Sequence, residues 1–288
     1  MKNLNEMKML QKDFIAHLCI LTEKYISSLE KSKIQTILLS GSVARGDYFP
    51  GKFGGYVDLI VMTKKQNFDK TSVLGKNIEP EIPYHCVETF IDGEKIGFEI
   101  DIRPFVSVQE FKTFNEPRKW SILESKILYD ENDLFSKELS KIESLKKTEI
   151  KSYFEKTLFE IEHLIGEYVC DKWLRRAAYV QLHENLDKAI ESGIRCLYYI
   201  NESYAAPDNR LSYYTYSFEK LPKNYERMMK MLMKQNISSR RDFFRRKEIF
   251  EKEFLNLLKA ENKTVCKCIF TTDKTEKVKQ PQMRHYEN

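Results

Sequence analysis

The sequence predicts an α+β first part, a small mixed sheet with flanking helices, followed by an all-α helical bundle. Three observations predict it. The continuous apolar runs 34–39 and 57–62 read as buried strands. Asp92-Gly93, between two β-rich segments, reads as a hairpin turn. From about Val108 onward apolar residues recur every three or four positions, the period of a helix.

Each element follows in order. Leu4, Met7, Leu10, Phe14, Leu18, Leu21, Tyr25 and Leu29 form one helical stripe. Ile34 to Leu39 is a strand that runs into Ser40-Gly41-Ser42. Residues 41–56 hold Gly51, Gly54, Gly55 and Pro50 and read as a loop with one short helical piece. Val57 to Met62 is a second strand. Pro83 to Ile91 and Lys95 to Val106 are the arms of the hairpin. In the second arm Phe98, Ile100 and Ile102 alternate with Glu99, Asp101 and Arg103, which puts the charged groups on one face. Residues 111–128 read as helical with a break at Pro117. Further helices are expected over 150–169, 174–200, 225–233 and 241–258, with a break at Ala205–Asn209. The expected organisation is a first domain over 1–130, a helical bundle over 131–260 and a polar tail over 261–288, with the junction near 130–147.

Bulk properties narrow the function classes. At 42% apolar and 32% charged residues, the 288-residue chain has the composition of a globular protein. No apolar run is long enough to span a bilayer, and the N-terminus lacks the apolar core of a signal peptide. The six cysteines are scattered, which fits free thiols in a reducing cytoplasm. The close pair Cys266 and Cys268 has no second half at zinc-ligand spacing. The formal charge of +5 permits an anionic nucleotide and does not demand nucleic acid.

The chemistry concentrates in Ser40-Gly41-Ser42-Val43-Ala44-Arg45-Gly46-Asp47 and in Tyr56-Val57-Asp58-Leu59-Ile60-Val61. Glycine lets a backbone approach a phosphate, and the adjacent serine offers a hydroxyl and an N–H. An aspartate inside an apolar strand is costly unless it is paired or holds a metal. Asp58 is such a residue, and Asp101 repeats the pattern on a later strand. Mg²⁺ takes one or two carboxylates plus substrate phosphates, which these two can supply. The blander readings are a plain turn at Gly41, Asp58 paired with Arg45 or Arg103, and a solvated charged face at Glu99–Arg103.

These residues resemble the nucleotidyltransferase superfamily related to DNA polymerase β, in which a Gly-Ser turn precedes two carboxylates flanking one apolar residue and a third carboxylate on a later strand. The resemblance covers roughly residues 34–105, through Gly41, Ser42, Asp58 and Asp101. The second half is similar to the bundle of antibiotic-type bacterial members, through Ile127-Leu128-Tyr129-Asp130, Asn201–Tyr204, Pro207 and Arg210-Leu211. The resemblance implies Mg²⁺- or Mn²⁺-dependent transfer of a nucleoside monophosphate from an NTP, expected to be ATP, to a hydroxyl of a small molecule or protein. Gly41, Ser42 and Arg45 would meet the nucleotide, and Asp58 and Asp101 would hold the metal and carry the catalysis. A homodimer is compatible with it, and neither membrane nor nucleic acid is an expected partner.

The chain departs from the family at one position. Tyr56 stands where an acidic residue is expected, and a phenol is a poor Mg²⁺ ligand at neutral pH. Asp47 from the loop or Glu99 from the later strand could replace it, or one metal could suffice. The alternative is a catalytically silent module that binds a nucleotide or a partner.

The helical half offers weaker candidates. Glu184, Asp187 and Glu191 share one helix face, either an acidic wall for a cationic acceptor or a solvated face laced with ion pairs. Tyr198, Tyr199, Tyr204, Tyr213, Tyr214 and Tyr216 are either an acceptor pocket or bundle core. Arg240, Arg241, Arg245, Arg246 and Lys247 around Phe243 and Phe244 are a solvated amphipathic face or an RNA contact. His163 and His183 read as structural or exposed.

Overall fold

Leu18, Leu21 and Tyr25 lie on one face of helix α1 (Leu4–Ser28), which therefore needs an apolar surface to cover. That surface is one side of a five-stranded sheet, in a computed structural model that describes residues 4–49, 55–64 and 84–261. The strands are β1 (Ile34–Leu39), β2 (Val57–Thr63), β3 (Tyr84–Ile91), β4 (Glu94–Pro104) and β5 (Lys126–Asp130), in the order β3-β4-β2-β1-β5. β2 and β4 are parallel, and every other neighbouring pair is antiparallel. The expected Asp92-Gly93 hairpin is present: Asp92 and Gly93 take φ of 52° and 81°, and Ile91 faces Glu94.

The sheet is buried on both faces at its centre, and β1 is buried along its whole length. Towards α1 it presents Ile37, Leu39, Leu59, Val61, Phe98 and Ile100. Tyr25 stacks on Phe98 with ring centroids 4.2 Å apart. The opposite face presents Leu38, Ile60 and Met62 to the helical half, and these join one core with Phe111, Trp120, Phe135 and the bundle interior.

After β1 the chain makes the short helix α2 (Gly41–Arg45). After β4 come α3 (Val108–Thr113) and α4 (Glu116–Leu123), capped by Ser107 and Asn115. The bundle is α5 (Leu134–Ile165), α6 (Glu167–Leu174), α7 (Tyr179–Ile200), α8 (Leu211–Thr215), α9 (Tyr225–Met233), α10 (Arg240–Ile249) and α11 (Asn256–Glu261). Between α10 and α11 the helix widens to a π-turn over Phe250–Leu255. Among the described residues no helix is long and apolar enough to cross a membrane.

One sequence expectation differs from the structure. Residues 126–128, read as the end of a helix, belong to the edge strand β5 (Lys126–Asp130), which pairs with β1. Leu128 and Tyr129 pack against the sheet core, so a short pairing partner outweighs local period. The 32-residue α5 begins at Leu134, within the stretch 130–147, and keeps Phe135 and Ile142 of its helical stripe buried. The expected loop residues 50–54, the tail beyond 261 and Cys266 with Cys268 lie outside the described residues.

Polar groups also hold the bundle together. The Arg246 guanidinium is fully buried, donating to Leu232 O (2.6 Å), Gln235 Oε1 (2.8 Å), His183 Nδ1 (2.9 Å) and the Asp187 carboxylate. A guanidinium only donates, so His183 Nδ1 accepts and Nε2 donates to Ser239 O. Lys119, also buried, donates to Glu149, which accepts from Tyr204 as well. Removing one partner of such a buried network leaves the others desolvated and unsatisfied. Arg246→Ala is therefore expected to cost about 3–5 kcal/mol. Urea unfolding of the two proteins side by side would show it as a clear fall in midpoint, and an unchanged midpoint would contradict the account.

Candidate functional site

The site is built around one turn. β1 ends at Leu39, and Ser40 N–H donates to Asp58 O (2.8 Å), tying the turn to β2. Gly41 follows with φ +66°, a left-handed value that favours glycine. A Cβ at Gly41 would fall within the space taken by the Asp58 carboxylate. The Ser42 N–H acts on that same carboxylate and favours its charged form. Gly46 closes the turn with φ +87°, its N–H reaching Ser42 O (2.9 Å), and Asp47 N–H also donates to Ser42 O (3.0 Å). The backbone groups of Ser42 are thus engaged within the protein.

The parallel register of β2 and β4 sets Asp58 beside Glu99 and Ile60 beside Asp101. Side chains on paired positions share a face, so Asp58, Glu99, Asp101 and Arg103 all face the helical half. Burial raises the Asp58 carboxyl above its usual range and the neighbouring Glu99 charge adds to this; Arg45, Arg210 and the Ser42 N–H act the other way. Asp101 is ion-paired with Arg103, and both side chains are largely buried, at 16% and 12% exposure.

Opposite the carboxylates, α4 and its cap supply Asn115, Arg118, Trp120 and Ser121, and the segment before α8 supplies Pro207 and Arg210. Together the two walls enclose a cleft of about 530 Å³. Arg45 joins them. It lies over the rings of Trp120 (4.9 Å) and Tyr214 (5.2 Å), and its Nε donates to Tyr214 Oη (2.8 Å). Tyr214 O–H in turn donates to Asp47 Oδ2 (3.2 Å). Burial pushes the Tyr214 phenol up to about 12.

The structure brings Gly41, Arg45, Asp58, Glu99 and Asp101 together in this cleft. Asp47, one of the two expected substitutes for the missing acid, sits instead with Arg45 and Tyr214 behind the cleft, its side chain only 7% exposed. Tyr56 lies over Gly97, and its O–H points to Glu88 Oε1 (3.4 Å). The Glu88 charge raises the Tyr56 phenol above its ordinary range.

The weaker candidates lie elsewhere. Asp187 pairs with Arg246 and Glu191 with Arg195, so no acidic wall from that helix faces the cleft. In the basic stretch Arg245 pairs with Asp242 and Lys247 with Glu251, while Arg246 is interior. Tyr198, Tyr199, Tyr204 and Tyr214 are buried, with hydroxyls bonded to Leu211 O, Glu116, Glu149 and Asp47. The cleft residues that sequence reasoning missed as site residues are Arg118, Trp120 and Arg210. Periodicity gives the face of a helix, and it does not say which faces meet across a chain.

The donor set was compared with the magnesium that the resemblance implies. Among the described residues no three His, Cys, Asp or Glu side chains gather to hold a metal. Two ions do not fit, since Tyr56 turns its hydroxyl to Glu88 and Asp101 is held by Arg103. Asp58 and Glu99, set side by side by the β2–β4 register, are the two carboxylates that would hold a single ion. A buried carboxylate crowded by a like charge is one that a cation relieves.

No protein-family model matches the chain. No curated protein matches it either. Among solved structures, a nucleotidyltransferase-like protein from Exiguobacterium sibiricum aligns over 86% of this chain and 75% of its own length, at 10% identity and a TM-score of 0.39. That is a likeness of outline only.

Two outcomes are expected of this geometry. Gly41→Ala would meet the Asp58 carboxylate and place a side chain at positive φ, where the backbone alone costs about 1–2 kcal/mol. Thermal unfolding is expected to show that loss or more, while an unaltered midpoint would mean the turn is open. Asp58→Asn is expected to stabilise the fold at neutral pH in metal-free buffer. The raised carboxyl contributes its full stability only below the ordinary carboxylate range and loses it as pH rises through its folded value. The gain of the variant should therefore vanish on acidification, and a gain that grew at low pH would reverse the sign.

Proposed function

We propose that the cleft binds a nucleoside triphosphate with one Mg²⁺ and transfers its nucleoside monophosphate to an acceptor hydroxyl. The observation that carries this reading is a carboxylate, Asp58, seated against the side-chain-free Gly41, with Glu99 and Asp101 on the same face of the same cleft. The sequence resemblance to nucleotidyltransferases rests on the same residues.

In this reading Asp58 and Glu99 hold the ion, which neutralises charge on the phosphates when bound. Gly41 leaves room for the ligand at the turn. Trp120 offers a flat apolar surface in the cleft wall. The acceptor oxygen forms a bond to the α-phosphorus, the bond to the β-phosphate oxygen breaks, and pyrophosphate leaves. The acceptor proton passes to Asp101, whose carboxylate Arg103 orients. Positioning and electrostatics carry most of the acceleration.

A second reading has its own observation. Tyr56 is turned to Glu88 and Asp101 is already paired, which suits a module that binds the nucleotide without transferring it.

Calorimetry with each NTP and Mg²⁺ tests the binding common to both readings. Asp58→Ala is expected to weaken Mg-dependent binding by at least about 10–100-fold, the loss that follows even removal of a ligand's supporting partner. No binding of any NTP would end both readings. Release of pyrophosphate or label transfer, abolished by Asp101→Ala, separates the enzyme from the silent module.

A further inference from the structure

The Gly-Ser turn is the part of the sequence that suggests phosphate binding, yet Ser42 does not line the cleft, and its N–H acts on the Asp58 carboxylate. The sheet wall of the cleft is acidic, and its one arginine, Arg103, is paired with Asp101. The free positive charge lies on the other wall. Arg118 and Arg210 are exposed, line the cleft and have no carboxylate partner among the described residues. Arg118 is held only by its cap and by the Phe114 ring, 4.0 Å from the guanidinium carbon. Arg210 is close enough to act electrostatically on Asp58.

A second observation points to a ligand there. The Arg45 side chain is 3% exposed and lines the cleft, and its Nη2 is buried with no hydrogen-bond partner. A buried guanidinium nitrogen left unsatisfied is costly, and an anionic oxygen is its natural complement.

We propose that Arg118 and Arg210, completed by Arg45 Nη2, form a polyphosphate-binding wall, so that phosphate recognition in this chain is carried by these three arginine side chains and not by the backbone of the Gly-Ser turn. The inference rests on the nucleotide reading above and names the residues that take the triphosphate tail. Its ligand class is a linear polyphosphate, free or attached to a nucleoside. Guanidinium forks suit phosphate oxygens, and the two forks of Arg118 and Arg210 with Arg45 Nη2 match a tail of several charges. Bound so, the tail would span both walls of the cleft.

The experiment is calorimetric titration of the whole protein with inorganic tripolyphosphate, ATP and adenosine, each in EDTA and in Mg²⁺. Arg118 and Arg210 are exposed, so the double variant Arg118→Ala/Arg210→Ala is expected to fold with an unchanged melting temperature. Wild type should bind tripolyphosphate in EDTA, more weakly as salt rises. The double variant should lose about tenfold or more for tripolyphosphate and ATP alike, with adenosine unaffected. Arg118→Lys/Arg210→Lys should recover part of the loss, since charge returns without the fork. Wild-type affinity in the double alanine variant, or no tripolyphosphate binding by wild type, overturns the wall. ATP binding that falls in Asp58→Ala but not in the double variant overturns the wall and leaves the nucleotide reading standing. Arginine-dependent tripolyphosphate binding without ATP binding does the reverse.

Discussion

The cleft depends on keeping a carboxylate in the middle of a sheet that is otherwise apolar. Asp58 sits between Val57 and Leu59, which are buried against α1, and on the same face as Ile60 and Met62, which enter the bundle core. Isolation there would cost several kcal/mol. The chain removes part of that cost with three local features. Gly41 has no side chain to exclude the carboxylate, the Ser42 N–H acts on it, and Ser40 fixes the distance of the turn from β2 through its backbone. The remaining cost, left by burial and by Glu99, is what a bound cation would remove.

Arg45 extends this arrangement from the turn to the helical half. Its guanidinium lies over Trp120 and Tyr214, and Tyr214 closes the relay to Asp47. One side chain from the turn thus fixes the positions of a residue before β5 and a residue of α8. The same apolar core passes beneath it, from Leu38 and Ile60 to Phe111, Trp120 and Phe135. The carboxylate wall and the arginine wall are held together by packing and by this buried polar contact, and neither element defines the cleft alone.

Much of this was legible in the sequence, and the reason is local. The buried runs at 34–39 and 57–62, the Asp92-Gly93 turn and the alternation through Phe98, Ile100 and Ile102 are short-range patterns, and each appears as an element. The Glu99, Asp101 and Arg103 face followed from period two alone. What the sequence could not give was register between elements. Asp58 is set beside Glu99 by β2–β4 pairing, a fact without local signal. Asp47 had the same composition to recommend it, and only the position of Tyr214, 167 residues away, takes it out of the cleft. The edge strand at 126–130 was hidden for a similar reason, since its identity lies in its pairing with β1. Arg246 reads as one more cation of a basic stretch until His183, Asp187 and Gln235 close around it.

The two walls of the cleft differ in charge. The sheet wall carries three carboxylates and one arginine that is already paired, and the helical wall carries Arg118 and Arg210 without a carboxylate of its own. A ligand of uniform charge would be repelled by one wall or the other. A ligand with a cation at one end and a run of phosphates at the other would satisfy both. That asymmetry argues against a cationic acceptor seated on the helical wall, which is where an acidic helix face would have been needed. It also gives the Tyr56 position a physical sense. With a phenol there, the sheet wall carries one negative charge fewer, and it faces the arginines on the opposite wall.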